Sequence, residues 1–206
     1  MNSKNLSTIL FCVFLTVSFI GLGNYSVFAQ SSWKSPTYQK EAYRKVIVLA
    51  KTTNPGAKRM LEDETVAELQ ANGIQAIPAY SNFSEADLVS EETFMVKANQ
   101  LEADALLVYT FNNPTTEYKN SPQVNASIGV PVRVGIFSGF LGTSVPVAGG
   151  PKQVQKFSGT VLFYNKQGPD MQWSLNIGGK IGSDSAKQAR SVAKNAVKAA
   201  LRDGIF

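Results

Sequence analysis

The chain has 206 residues, 20 basic against 15 acidic, one cysteine, no histidine and a formal net charge of +5. Those counts exclude histidine general bases, Ser-His-Asp triads, Cys/His metal sites and any internal disulfide. The charge is mild: it favours anionic surfaces weakly and falls short of a nucleic-acid footprint.

The first residues, Met1-Asn2-Ser3-Lys4-Asn5, carry one positive charge, and an apolar block follows from roughly Ile9 to Ile20. Val27-Phe28-Ala29 then offers a signal-peptidase site, so the layout is that of a secretory leader cleaved after Ala29. The apolar block is short for a membrane span. Cys12 follows Leu10-Phe11 instead of small residues, which argues against lipidation. Residues 1–29 are expected to be a signal peptide and 30–206 a single domain, long enough to bury about 70% of its unfolded surface. Gln30 to Tyr43 reads as a polar docking arm or loop.

Lys45-Val46-Ile47-Val48-Leu49-Ala50 is an apolar run without alternation, the pattern of a strand covered on both faces. Asn54 suits a helix N-cap and Pro55 the first helical position. The helix should run to about Ala71 and stop at Asn72-Gly73. Its apolar stripe is Leu61, Val66 and Leu69, with Glu62 expected at the solvated margin, paired with Lys58. Ile74 to Ala79 is a second strand. A second helix should start at Ser90-Glu91-Glu92, reach about Glu102, and bury Phe94, Ala98 and Leu101. Ala105 to Phe111 is a third strand. This β-α-β-α-β succession, with right-handed crossovers, predicts an α/β fold with a parallel core of spatial order 2-1-3.

The back half alternates. Ser127 to Ile136 reads as a half-buried strand, with Pro131 favouring an edge. Phe137 to Pro151 is Gly/Pro-rich and uncharged, and reads as an apolar loop. Lys156 to Asn165 and Met171 to Gly178 form an antiparallel hairpin about 166–170. Ser183 should cap a closing C-terminal helix with Asp184 in its first turn, alanines inward and a ridge of Arg190, Lys194, Lys198 and Arg202 outward.

The first strand-helix turn, Ala50-Lys51-Thr52-Thr53-Asn54-Pro55-Gly56, lacks the glycine fingerprints of dinucleotide or phosphate sites. No catalytic residue, cofactor site or metal site is assigned, and enzyme activity is not expected. Ligands of such sheets bind beyond the carboxyl ends of the strands, here Thr52, Asn54, Tyr80, Ser81 and Asn112. Phe137, Phe140, Leu141, Val145 and Val147 form a candidate partner surface, since uncharged apolar side chains need a cover. The basic ridge reads as a solvated face without the interleaved aromatics of single-strand binding. Carboxylate catalysis at Glu62 or Asp63 would need a converging partner acid.

Lys45 to Ala50, Arg59-Met60-Leu61-Glu62-Asp63 with Leu69 and Gly73, Asp104-Ala105-Leu106-Leu107, and Trp173-Ser174 before a closing helix together carry a resemblance. Over most of 44–203 the chain resembles small exported bacterial envelope domains. Closest in layout is a lipoprotein-associated family of unknown function; the amino-terminal domain of the Tol-system translocation protein and the lipoprotein activators of penicillin-binding proteins are similar. Unlike those lipoproteins, this chain lacks a lipobox. The resemblance implies a non-enzymatic periplasmic, outer-membrane-associated or cell-surface module that docks on an envelope protein or membrane surface. It implies no nucleic-acid partner and leaves room for a homo-oligomer. A small-ligand carrier binding at the carboxyl ends of the parallel strands is the alternative.

Overall fold

The computed structural model describes residues 27–119, 128–134, 137–143, 152–166 and 168–206. The strands are β1 (Val27–Lys34), β2 (Val46–Lys51), β3 (Ala76–Pro78), β4 (Ala105–Phe111), β5 (Thr115–Lys119), β6 (Ile128–Val134), β7 (Phe137–Thr143), β8 (Lys152–Asn165) and β9 (Trp173–Lys180). The helices are α1 (Pro55–Ala71), α2 (Ala79–Asn82), α3 (Glu91–Gln100) and α4 (Ser185–Arg202), with a 3-10 turn at Ala86–Leu88.

Seven strands form one mixed sheet in the order β1-β9-β8-β4-β2-β3, with β5 paired to the first half of β8. β2 lies between β3 and β4 and is parallel to both, Val48 facing Pro78 and Leu107. The parallel core therefore has the expected 2-1-3 order, and the antiparallel strands β8, β9 and β1 extend it on one side. β6 and β7 pair separately, Val132 opposite Gly139.

The period of two sorts β2 between two cores. Val46, Val48 and Ala50 join Leu107, Tyr109, Val161, Phe163, Trp173, Leu175 and Ile177 on a first face, beneath α1 and α4. Ile47 and Leu49 join Val108, Ala79, Phe83 and Ala98 on a second face, beneath α2 and α3. The first face holds the largest fully buried side chains, among them Trp173, Tyr109 and Phe163. Each such aliphatic or aromatic side chain contributes about 1.5–3 kcal/mol by leaving water.

α1 starts and stops where its caps dictate. Asn54 Oδ1 accepts from the N–H of Gly56 (3.0 Å) and Ala57 (3.2 Å), and Gly73 takes a positive φ of 77° after the C-cap. α4 is capped by Asp184, one residue beyond the expected Ser183, because the Asp184 carboxylate reaches the Lys187 N–H at 3.0 Å. Its alanines Ala189, Ala193, Ala196 and Ala200 are buried, while Arg190, Lys194, Lys198 and Arg202 are exposed. Arg190 pairs in two-point fashion with Glu64 of α1 at 2.9 and 3.0 Å.

Several sequence expectations need correction. The stretch from Gln30 is not simply an arm: Val27–Lys34 is strand β1, which covers the β9 edge with a register shift between Ala29 and Ser31. Beyond it, Tyr38 and Tyr43 dock edge-on to Phe163, and the Tyr38 hydroxyl donates to the Ile205 carbonyl at 2.7 Å. Burial pushes the Tyr38 hydroxyl pKa up, and the bond to Tyr43 adds to the shift. The expected second strand, 74–79, shrinks to Ala76–Pro78, because Ala79 already opens α2. The expected 137–151 loop is strand as far as Thr143; Phe137, Phe140 and Leu141 lie in β7, opposite Val134, Pro131 and Val130, while Val145 and Val147 lie outside the described residues.

Candidate functional site: a cleft under the second sheet face

α3 forms because Ser90 and Thr93 cap each other. The Thr93 N–H donates to Ser90 Oγ at 3.2 Å, and the Ser90 N–H donates to Thr93 Oγ1 at 3.3 Å. The helix has only ten residues, about 15 Å of cover. Inward-facing Phe94 stacks on Phe83 at 5.0 Å, and Ala98 is buried against the sheet. Val89, just before the helix, is 81% exposed, and Val96 and Met95 on the helix are 54% and 40% exposed.

So short a helix cannot roof a sheet this wide. Between it and the second face lies a cleft of about 780 Å³. Its floor is Ile47 and Leu49 of β2, Leu106 and Val108 of β4, and Leu162 and Tyr164 of β8; its wall is Leu88, Val89, Phe94, Met95 and Ala98. Beyond the cleft the same face continues over β9 and β1. There Asn176 lies 3.4 Å from Thr160 Oγ1 and donates to Ser31 Oγ at 3.0 Å, beside Trp33, 47% exposed.

The polar rim is divided between the two ends. Lys51 and Thr52 stand at the carboxyl end of β2, with Lys58 from the first turns of α1. α3 enters β4 through the short connection 101–104, so its carboxyl end lies at the amino end of β4 and its first residues, Ser90 and Glu91, lie toward Lys51. The opposite rim holds Asp104, Asn165 and Lys166. Asp104 is buried and already engaged: it accepts the N–H of Arg44 (3.0 Å) and Lys45 (3.1 Å), with the Arg44 guanidinium at 3.5 Å. Among the described residues no group of three or more acidic, cysteine or histidine side chains is arranged to hold a metal ion. None of their helices is long and apolar enough to cross a membrane.

Of the five residues expected at the strand ends, Thr52 lines the cleft. Asn54 is occupied as the α1 cap. Tyr80 lies under the Arg59 guanidinium, 5.0 Å from its ring centroid, and its hydroxyl donates to Asp63 at 3.3 Å. Ser81 Oγ accepts from Asn82, and Asn112 donates to Ser158 Oγ at 3.1 Å. These four do not line the cleft. Glu62, expected at a solvated margin, is fully buried, with one carboxylate oxygen on the Ala50 N–H and the other on the Tyr80 N–H. Burial pushes its pKa up; the N–H groups of Ala50, Tyr80 and Ala79 and the Lys58 charge hold it back without cancelling the rise. The residues missed from sequence are the wall and the far floor. Their signal was an apolar pair, Leu88-Val89, in a polar connection, and Met95-Val96 on the wrong side of α3.

No family model matches the chain, and no curated protein does. Among solved structures, a PelC dodecamer from Paraburkholderia phytofirmans matches with a TM-score of 0.46 at 12% identity, over 84% of this chain and 95% of that one. A single-substitution variant of that dodecamer, from the same organism, matches with a TM-score of 0.44 at 15% identity, over 84% and 94%. A PDZ domain protein from Parabacteroides distasonis matches with a TM-score of 0.39 at 8% identity, over 82% of this chain and 34% of that one.

Proposed function

We propose that this chain is a non-enzymatic, exported module of the bacterial cell envelope, and that it docks other envelope components through the second face of its sheet. The observation that carries the reading is the half-covered face: an apolar cleft beneath α3, with Val89 and Met95 exposed on its wall and Val96 exposed next to Met95 on the helix. Exposed apolar side chains gathered beside a cleft mark binding surfaces. The leader-like residues 1–29 and the resemblance to exported envelope domains support a periplasmic or surface location. The absence of histidine and the engagement of Asp104 and Glu62 with backbone N–H groups support binding over turnover.

A pull-down from solubilised envelope tests the reading. The wild-type chain should recover a defined partner, Val89→Glu/Val96→Glu should lose it, and Lys194→Glu on the α4 ridge should keep it. Recovery unchanged by the double variant, or catalytic turnover by the purified chain, would contradict the proposal. A small-ligand carrier is the second reading, favoured by the cleft volume, which falls in the roughly 300–1,000 Å³ range of small-molecule sites.

A further inference from the structure

The two ends and the body of the cleft differ in chemistry, and that difference specifies a ligand. The body is apolar on both sides, sheet floor and helix wall. It follows the direction of β2 from Ile47 to Lys51, about 13 Å at the usual rise per residue. Lys51 and Lys58 stand at the carboxyl end of β2, against Glu91 on the rim and the buried Glu62, which Lys58 also faces and whose charged form burial disfavours. At the other end the Asp104 carboxylate is neutralised by Arg44 and two backbone N–H groups, leaving Lys166. An elongated apolar trough with a net positive mouth complements a molecule with a long apolar body and an anionic head.

We infer that the cleft binds a single-chain amphiphile with an anionic head group, such as a long-chain carboxylate. Its chain lies along Ile47 and Leu49 of β2, beside Leu106 and Val108 of β4, and its head lies between Lys51 and Lys58. This inference rests on reading the cleft as the binding surface, and it adds the chemical class of the occupant. Buried apolar contact supplies most of the affinity, while the lysines select the head. Both are on the rim and hydrated, so their contribution is modest and salt-sensitive. Glu91 opposes an anionic head at the same mouth.

Titration calorimetry on the purified chain tests this with three probes of equal chain length: dodecanoate, dodecyl maltoside and dodecyltrimethylammonium. Dodecanoate should bind tightest and the cation weakest. Lys51→Glu/Lys58→Glu should weaken dodecanoate about tenfold and leave the maltoside unchanged. Glu91→Gln should tighten dodecanoate, an effect that a merely structural role for these residues would not produce. Val89→Asn, at a position too exposed to disturb folding, removes apolar wall without adding charge and should weaken all three. Equal binding of the three probes with no response to the lysine reversal overturns the inference, as does binding of none. In either case the pull-down with Val89→Glu/Val96→Glu judges the docking reading separately, because it reads a captured protein partner and not a bound amphiphile.

Discussion

Glu62 accepts the backbone N–H of Tyr80 at 2.7 Å, and its second oxygen accepts that of Ala50 at 2.9 Å. One side chain of α1 thus ties the end of the central strand to the first turn of α2. Asp104 does the same at the opposite end of β2, through Arg44 and Lys45. The central strand is clamped at both ends by buried carboxylates, and that holds the cleft floor in register. Glu62→Gln keeps the shape but turns an N–H donor toward a backbone N–H. A buried donor left without an acceptor costs about 1–3 kcal/mol. Urea denaturation should show that loss; an unchanged midpoint would remove Glu62 from this role.

The same group makes stability depend on pH. Burial raises the Glu62 pKa above its ordinary value of 4.5, so the folded state holds its proton to higher pH than the unfolded chain does. Its contribution is complete below about 4.5 and declines as pH rises through the folded pKa. The stability gap between wild type and Glu62→Gln should therefore narrow as pH rises from 4.5. A gap that widens would reverse the assignment.

At the C-terminus of α4, the indole N–H of Trp173 donates to Asp203 Oδ2 at 2.9 Å, and Arg202 pairs with Oδ1 at 2.9 Å. Partial burial works against the Asp203 charge, but hydrogen bonds from Arg202, Ser32 and Trp173 and the Arg202 charge prevail and bring its pKa down to about 2. The stability this group contributes is present above pH 3.8 and is lost as pH falls toward 2. In a Trp33→Phe background, Trp173 fluorescence should report the acid transition, and Asp203→Asn should flatten that branch.

Gly159 sits in β8 between Phe111 and Ile177, where a Cβ would lie 2.3 Å from the Thr110 carbonyl oxygen. The obstacle is backbone and cannot swing aside. Gly159→Ala should destabilise the sheet by about 1–3 kcal/mol, the usual cost of overpacking, read as a lowered melting temperature. A neutral substitution would mean that the two strands separate there without cost.

Much of the scaffold was legible because it is written locally. Asn54-Pro55 and Asn72-Gly73 mark both ends of α1, and the alternation of Trp173, Leu175 and Ile177 marks β9. β1 was not, because Ser31-Ser32 lacks β-forming side chains. The strand exists through pairing with β9, where Ser31 meets Asn176, 145 positions further along the chain. Glu62 was misplaced for a similar reason: its partners, Ala50 and Tyr80, are backbone groups that no side-chain pattern announces. The cleft was hidden because it is a shortfall of cover, the difference between the reach of α3 and the width of the sheet. Thr52 alone of the expected strand-end residues reached it.

The most direct test of the working surface is a photo-crosslinking residue placed at position 89 or at position 194 in the producing cell. Position 89 stands on the cleft wall, position 194 on the exposed ridge of α4. Adducts from 89 and none from 194 are predicted. Adducts from 194 with none from 89 would contradict the account.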